Sequence, residues 1–297
     1  MKLALFGRKT DISNLKKLNQ LIDILKGSAG VELCFYAPFY EALEGNGLVA
    51  DNVSLFNSYQ DLPADINLFL SLGGDGTFLE SLTFIRDRQI PVAGINAGRL
   101  GFLTTAQIDG DNSWIGKLLS GNYKIEERCV LSFETEHPNI LPEDFYKNAL
   151  NEITFQRTSP VMLEISVSVD GKPLPIYYAD GILIGSATGS TAYSLSIGGP
   201  IVTPDSKVLI IAPIAPHNLN VRPIIVPDTS VIEISYDTRG DDAFLTADNR
   251  FYAFPKGEKI TISKSGTPLN SISINNSFIE ALNQKLLWGE DKRNMLK

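Results

Sequence analysis

Ile66-Asn-Leu-Phe-Leu-Ser-Leu72 runs directly into Gly73-Gly74-Asp75-Gly76-Thr77, and the order of these two pieces sets the architecture. The first piece is apolar almost throughout, as a strand covered on both faces must be. The glycines break it. Thr77–Arg86 then reads as a helix, and Pro91–Ile95 as a further strand. Strand, glycine-rich turn, helix, strand is a βαβ unit, which calls for a parallel sheet.

Working outward, Lys2–Phe6 and Val31–Tyr36 read as two more strands. Between them Leu15, Leu18, Ile22 and Leu25 fall on one helical face, with Asp11 or Ser13 as the cap. After about residue 121 the texture changes. Leu163–Val169 alternates at period two, Asp170-Gly171 gives a hairpin turn, and Lys172–Tyr178 returns. Val231–Tyr236, Lys259–Ser263 and Ser271–Ile274 also read as strands, with prolines between them. From Asn276 the spacing of Phe278, Leu282 and Leu286 is again helical. The expected organisation is therefore a Rossmann-like α/β domain over 1–120 and a β-rich domain over 121–275. A helix over 276–297 is expected to pack back on the first domain.

The chain has 297 residues, and 26 basic against 34 acidic side chains give a net charge of −8. At ~150 residues per domain, two domains are expected. A chain of this size buries ~75% of its unfolded surface, so neither disulfide nor metal is required for folding. The acidic balance argues against a nucleic-acid partner, whose recognition needs a basic face. It does not oppose a nucleotide, because backbone N–H groups bind phosphate locally. Cys34 and Cys129 are too few for a secreted disulfide framework and read as buried core thiols. No apolar run approaches the ~20 residues of a membrane span, and the opening apolar stretch is too short for a secretion signal. A cytoplasmic protein is expected.

Three stretches carry chemistry. In the first, glycines at the C-terminal end of a strand place N–H groups at a helix N-terminus, where anions are favoured. Asp75 among them reads either as a helix cap or as a group that takes a proton or helps hold a cation. The second is Asn151-Glu152, a weak signal that alone reads as an exposed polar pair at a strand end. The third runs from Asp180 to Pro200 through Ser186-Ala-Thr-Gly-Ser-Thr191-Ala192-Tyr193-Ser194-Leu195-Ser196. Its small and hydroxylated side chains leave room for a flat ligand and supply donors, and Tyr193 can pack on a ring. It is too apolar to be a free linker. His137 and His217 do not form a metal pair. His137 reads as a solvated loop residue and His217 as structural, while Trp114 and Trp288 read as packing residues.

Together, Gly73–Thr77, Asn151-Glu152 and Asp180–Pro200 resemble the NAD kinase family, as does Asn96-Ala-Gly-Arg-Leu-Gly101-Phe-Leu103. The resemblance implies phosphorylation of the 2′-hydroxyl of the adenosine ribose of NAD to give NADP. ATP or polyphosphate would be the donor, and a divalent cation, Mg²⁺, would be required. It also implies an α/β domain and a β-rich dinucleotide-binding domain with the site in the cleft between them, in a homodimer or homotetramer. By family position Asp75 is the general base. Gly73, Gly74, Gly76 and Thr77 are the phosphate-binding residues, and no protein ligand is assigned to the metal. Asp75, Gly76, Asn151, Glu152, Tyr178, Asp180, Thr191–Ser196 and Ala215 match positions that contact NAD.

The chain departs from the family pattern in three places. Glu80 stands where many members have a basic residue, and Tyr178 where some have arginine. Gln156–Pro160 lacks a histidine found in others. Two competing readings are a lipid kinase, which shares Gly-Gly-Asp-Gly-Thr, and a dinucleotide sensor without turnover. The hydroxyl-rich 186–196 segment opposes the first and the intact glycine motif opposes the second.

Overall fold

The structure, a computed structural model, describes residues 1–8, 15–47, 53–96, 98, 101–108, 112–240, 242–274 and 278–286. Asp11 and Ser13, the expected caps, and Trp288 lie outside these residues, as do Ala97, Arg99 and Leu100 of the Asn96–Leu103 segment.

In chain order the elements are Lys2–Phe6 (β1), Leu15–Gly27 (α1), Glu32–Tyr36 (β2), Ala37–Glu44 (α2), Ser54–Phe56 (β3) and Leu68–Leu72 (β4). Asp75–Ile85 (α3), Val92–Asn96 (β5), Ala106–Gln107 (β6), Ser113–Leu119 (α4) and Lys124–Arg128 (β7) follow. Next come Leu131–Thr135 (β8), Asn148–Ala149 (β9), Glu152–Gln156 (β10), Leu163–Val169 (β11), Lys172–Pro173 (β12), Tyr177–Ala179 (β13) and Gly181–Ser186 (β14). The chain continues through Tyr193–Ser196 (α5), Val208–Ile214 (β15), Ile224–Pro227 (β16), Ile232–Asp237 (β17), Ala243–Ala247 (β18), Arg250–Phe254 (β19) and Lys259–Lys264 (β20). Leu269–Ser273 (β21) and Phe278–Leu286 (α6) close it.

These elements form two compact units, Met1–Glu126 with Asn270–Lys297, and Glu127–Leu269. The sheet of the first unit has the order β3-β2-β1-β4-β5-β21-β7, with β6 beside β5. β1 pairs in parallel with both β2 and β4, and β4 with β5, as the βαβ reading requires. β4 is buried at all five positions. Leu18, Leu21, Ile22 and Leu25 of α1 close over Leu3, Leu5 and Leu70 in one apolar core. The alternate residues of these strands meet an aromatic cluster in which the ring of Phe6 lies 4.9 Å from Phe84 and 6.1 Å from Phe69.

The second unit is antiparallel. A sheet of order β16-β15-β14-β10-β18-β19 and one of order β12-β11-β17-β20-β8-β9, with β13 beside β11, share a core. Ile153, Phe155, Ile182 and Ile184 from the first of these meet Ile165, Val167, Ile234 and Ile260 from the second. Asp170 and Gly171 both adopt positive φ, 50° and 73°, in the expected hairpin turn. The return strand is interrupted, however. Pro173 and Pro175 lack the N–H that a continuous ladder needs, so Lys172–Tyr178 divides into β12 and β13.

One strand changes place. Ser271–Ile274, read as part of the β-rich domain, becomes β21, and Ser271 pairs in parallel with Val92 in the first sheet. The units accordingly divide at Glu126/Glu127 and Leu269/Asn270 rather than at 120 and 275. The helix α6 forms where the spacing called for one and lies in the first unit, the expected side, with Ala281 and Leu282 buried. No helix among the described residues is long and apolar enough to cross a membrane.

Candidate active site

In the first unit, β4 ends at Leu72 and α3 begins at Asp75, so Gly74 is the N-cap residue. The Gly73 N–H is taken up by the Ile95 carbonyl at 2.9 Å, and Thr77 N–H by the Gly74 carbonyl at 3.0 Å. The remaining amides of the first turn, including Gly76, have no carbonyl within the helix to bond. Of the expected phosphate-binding residues, Gly74 and Gly76 are therefore the ones placed to offer N–H groups.

Asp75 does not cap the helix. Its Oδ2 accepts the Phe102 N–H at 2.9 Å and its Oδ1 the Leu103 N–H at 3.0 Å. The loop that makes these bonds is anchored by Thr105 N–H to the Gly94 carbonyl and by the Thr104 hydroxyl, which accepts the Gly101 N–H at 2.5 Å. Gly101 sits so close that a Cβ there would fall 1.8 Å from Asp75 Oδ1. Each carboxylate oxygen carries one N–H bond and keeps lone-pair capacity for another.

Glu80, which stands where many family members carry a basic residue, holds one instead. Arg8 Nε lies 2.6 Å from Glu80 Oε2, and Arg8 Nη2 donates to the Gly76 carbonyl at 2.8 Å. A guanidinium thus reaches the first turn of α3 from the end of β1, in place of a basic side chain on α3 itself.

In the second unit, Glu152 opens β10 with Asn151 just before it, and both are buried, which sets aside an exposed polar pair. Their backbone is fixed by a residue that the sequence reading passed over. Asp248, at the turn between β18 and β19 with φ 51°, accepts Leu150 N–H and Asn151 N–H at 2.8 Å each and Glu152 N–H at 3.3 Å. Burial raises the Asp248 carboxyl above the usual carboxylate range, against the pull of Arg250 and of these N–H groups. In sequence its one signal is an aspartate between two alternating strands, which reads as an ordinary turn.

The long motif folds over the opposite side of the same strands. Ser186 N–H bonds the Asn151 carbonyl at 2.9 Å, and Ser186 Oγ donates to the Leu150 carbonyl at 2.5 Å. A Cβ on Gly189 would meet the Asn151 carbonyl oxygen at 2.1 Å, so only glycine lets the Thr188–Thr191 turn come this near. Tyr193 and Ile197 then pack on Leu183, Ile210 and Ala212, covering the outer face of β14 and β15. This returns the Tyr193 N–H to the Glu152 carboxyl.

Three buried polar atoms of these segments, Glu152 Oε2, Thr188 Oγ1 and Ser194 Oγ, have no hydrogen-bond partner among the described residues. Such atoms are costly unless something completes them. The Glu152 carboxyl is pushed up to about 8, first by burial and then by the charge of Asp248, with the Tyr193 N–H acting the other way. Burial thus favours its acid form, which offers an O–H as well as a lone pair.

This has a consequence for stability. The folded value lies above the free value of 4.5, so the folded state binds the proton more tightly. The stabilisation is complete below the free value and is lost as pH rises toward the folded one, at about 1.4 kcal/mol per pH unit. Glu152→Gln is expected to raise the melting temperature at pH 8 and to leave it near wild type at pH 5, which thermal unfolding at the two pH values checks.

Asp180 and Ala215 are brought side by side. Asp180 N–H bonds the Ile214 carbonyl at 3.0 Å, and Ala215 follows with φ 45°. Arg157 grips the Asp180 carboxylate with both arms, at 2.9 and 3.0 Å. It supplies the cation of the Gln156–Pro160 segment where a histidine was lacking. Tyr178 is partly exposed, and its backbone is held by Asn218 Oδ1 at 2.7 Å and by the His217 N–H, also at 2.7 Å.

His137 is exposed as expected but not unpartnered, since its Nδ1 lies 2.7 Å from Glu258 Oε2. Glu136, His137 and Glu258 bring ligand-type atoms within 4.8 Å of one another, the one such group of three among the described residues. Cys34 and Cys129 are free and buried, and burial pushes the Cys129 thiol up to about 11.

Comparison with known proteins finds matches to both parts of the chain. Residues 37–123 match the ATP-NAD kinase N-terminal domain and residues 150–274 the ATP-NAD kinase C-terminal domain. An NAD kinase of Christiangramia forsetii is 36% identical over 99% of this chain and 100% of its own length. One of Flavobacterium psychrophilum is 38% identical over the same shares. Among solved structures, an NAD kinase from Archaeoglobus fulgidus in complex with ATP superposes with a TM-score of 0.71 at 27% identity, covering 97% of this chain and 99% of its own. Yeast NADH kinase complexed with NADH shares the fold with a TM-score of 0.86 at 24% identity, over 98% of this chain and 89% of its own. With both domains matched in order and relatives aligned over their whole length, the chain belongs to the NAD kinase family.

Proposed function

We propose that the protein transfers the γ-phosphoryl group of ATP to the 2′-hydroxyl of the adenosine ribose of NAD, giving NADP and ADP. The observation that carries this reading is the set of buried, unbonded polar atoms of Glu152, Thr188 and Ser194 in a chain of this family. Asn151, Glu152, Tyr178, Asp180, Thr191–Ser196 and Ala215 take the dinucleotide. Glu152, with an O–H to give and an oxygen to receive, suits a ribose diol. Asp180, its orientation set by Arg157, suits a second polar edge. The Gly74 and Gly76 amides with the Arg8 guanidinium attract the triphosphate, which is how a chain of charge −8 admits two anionic nucleotides.

A ribose hydroxyl is a weak nucleophile at neutral pH. Asp75 accepts its proton as the oxygen attacks phosphorus, and the Phe102 and Leu103 N–H groups keep the carboxylate aimed. The rest of the acceleration comes from in-line positioning and neutralised charge.

A divalent cation such as Mg²⁺ would supply part of that neutralisation. It is best carried on the triphosphate, since such ions keep several waters and lean on substrate phosphates. A homodimer or homotetramer is supported by Phe244 and Phe251, exposed rings 5.7 Å apart beside the edge strand β19. A cytoplasmic location is supported by the two unpaired thiols.

Purified protein supplied with NAD and Mg·ATP is expected to form NADP, read by an NADP-specific dehydrogenase. Chelation with EDTA should abolish the signal and added Mg²⁺ should restore it. A parallel arm with polyphosphate defines the donor. No NADP from either donor would overturn the reading.

A further inference from the structure

Lys285, on the face of α6 turned to the glycine motif, places its Nζ 3.5 Å from Asp75 Oδ2. The same ammonium lies 4.4 Å from the centre of the Phe102 ring. Phe102 gives its N–H to Asp75 Oδ2 at 2.9 Å, and its ring stands 6.3 Å from Phe278 at the start of α6. The helix is tethered by its leading strand, where Ile274 N–H bonds Thr105 Oγ1 at 2.9 Å, one residue beyond the Gly101–Thr104 turn. Helix, loop and carboxylate therefore close on one another, and all of them belong to the first unit.

We propose that Lys285 is the cation of the phosphoryl-transfer step, paired with Asp75 until the carboxylate takes the ribose proton and then released to the transferring group. This deepens the function proposed above and rests on Asp75 being the proton acceptor.

A bare carboxylate repels an incoming triphosphate, whereas a carboxylate paired with an ammonium does not. In the transfer the proton leaves the 2′-oxygen for Asp75. A bond forms from that oxygen to the γ-phosphorus as the bond from phosphorus to the bridging oxygen breaks, and ADP departs with the electron pair. Asp75 is now neutral. Lys285 keeps its protons, and its charge loses its partner at the moment when the phosphoryl oxygens need one.

An ammonium suits this handover better than a guanidinium, being a compact charge with rotatable donors on a flexible stem. Cations aimed where charge develops, in a site poor in water, are worth the most. Lys285 is 22% exposed and Asp75 35%. Burial draws the Lys285 ammonium below the usual lysine range, and Asp75 is the charged group that pulls it back. The Phe102 ring, facing it from the loop, is uncharged.

The test uses Lys285→Ala, Lys285→Met and Lys285→Arg in the full chain, with Asp75→Asn beside them. Lys285→Ala is expected to lower kcat by about 10²–10³-fold. The KM for NAD should stay within about threefold, because the loss belongs to the transition state. Methylammonium should restore turnover to Lys285→Ala in a saturable manner, which a structural role would not allow. Lys285→Arg should keep part of the activity and hold it to higher pH than the wild type.

A folded Lys285→Ala or Lys285→Met protein with wild-type kcat overturns the proposal and leaves the Asp75 assignment standing, provided Asp75→Asn is inactive. A loss in kcat that no amine restores, with an unmoved alkaline limb in Lys285→Arg, reduces Lys285 to a packing role and also overturns it. An active Asp75→Asn protein removes the base assignment and this proposal together.

Discussion

Asp75→Asn lowers kcat by about 10²–10⁴-fold, the range a positioned general base contributes, while NAD still binds. The amide has the shape of the carboxylate but cannot take a proton at neutral pH. It also has one acceptor oxygen where the native group has two. Phe102 and Leu103 each give an N–H to a different oxygen of Asp75, so one of them faces the new NH₂ donor to donor. Leaving a buried donor unsatisfied costs about 1–3 kcal/mol, so part of any loss comes from a loosened loop. Two readings separate the contributions. Thermal unfolding reports the loop, and single-turnover transfer at saturating NAD and Mg·ATP reports the chemistry. A variant that melts several degrees lower yet transfers phosphate within tenfold of wild type would show that Asp75 only fastens the loop.

Gly101→Ala is the second large effect, and it reaches Asp75 without touching its chemistry. The added methyl lies 1.8 Å from Asp75 Oδ1 and 2.9 Å from Thr104 Oγ1, so both must move. The carboxylate then loses its place relative to Phe102 and Leu103. Overpacking of this kind costs about 1–3 kcal/mol. A misplacement of about 1 Å in a reacting group costs on the order of 10²-fold in rate. Turnover should therefore fall far more than stability. Gly116→Ala, within α4 and with nothing inside 4 Å of the new methyl, is the matched comparison. It should keep full activity and gain about 0.4–1 kcal/mol from the stiffer unfolded chain. Equal activity in the two alanine variants would refute the close approach described for the Phe102 loop.

How far the sequence could be read depended on whether a feature is local. The strand into Gly73–Thr77, the helix after it and the Asp170-Gly171 hairpin are each written within about ten residues, and all three are present. Asn151-Glu152 and the 180–200 motif were identified by resemblance, and the structure draws them together through Ser186, Gly189 and Tyr193. Pairings across long stretches of chain left no such trace. Nothing around Leu269–Ser273 says that this strand leaves its neighbours for β5. Glu80 read as a departure from a basic family position, and the basic partner it has, Arg8, is 72 positions away. Asp248 was passed over for the same reason, as it serves N–H groups 96 to 98 residues earlier.

That late strand also bears on how the molecule is made. β21 stands between β5 and the edge strand β7 in the first sheet, so residues 1–126 leave the ribosome with that place in their own sheet unfilled. A nascent chain can complete its second unit, Glu127–Leu269, before its first. Only after Leu269–Ser273 has emerged can the sheet close, and only after Lys285 has followed does the carboxylate of Asp75 meet its cation. Translation that halts short of that point yields a product with a finished β-sandwich and an open α/β sheet. Such a product lacks Lys285 and leaves strand edges open to pairing with other chains.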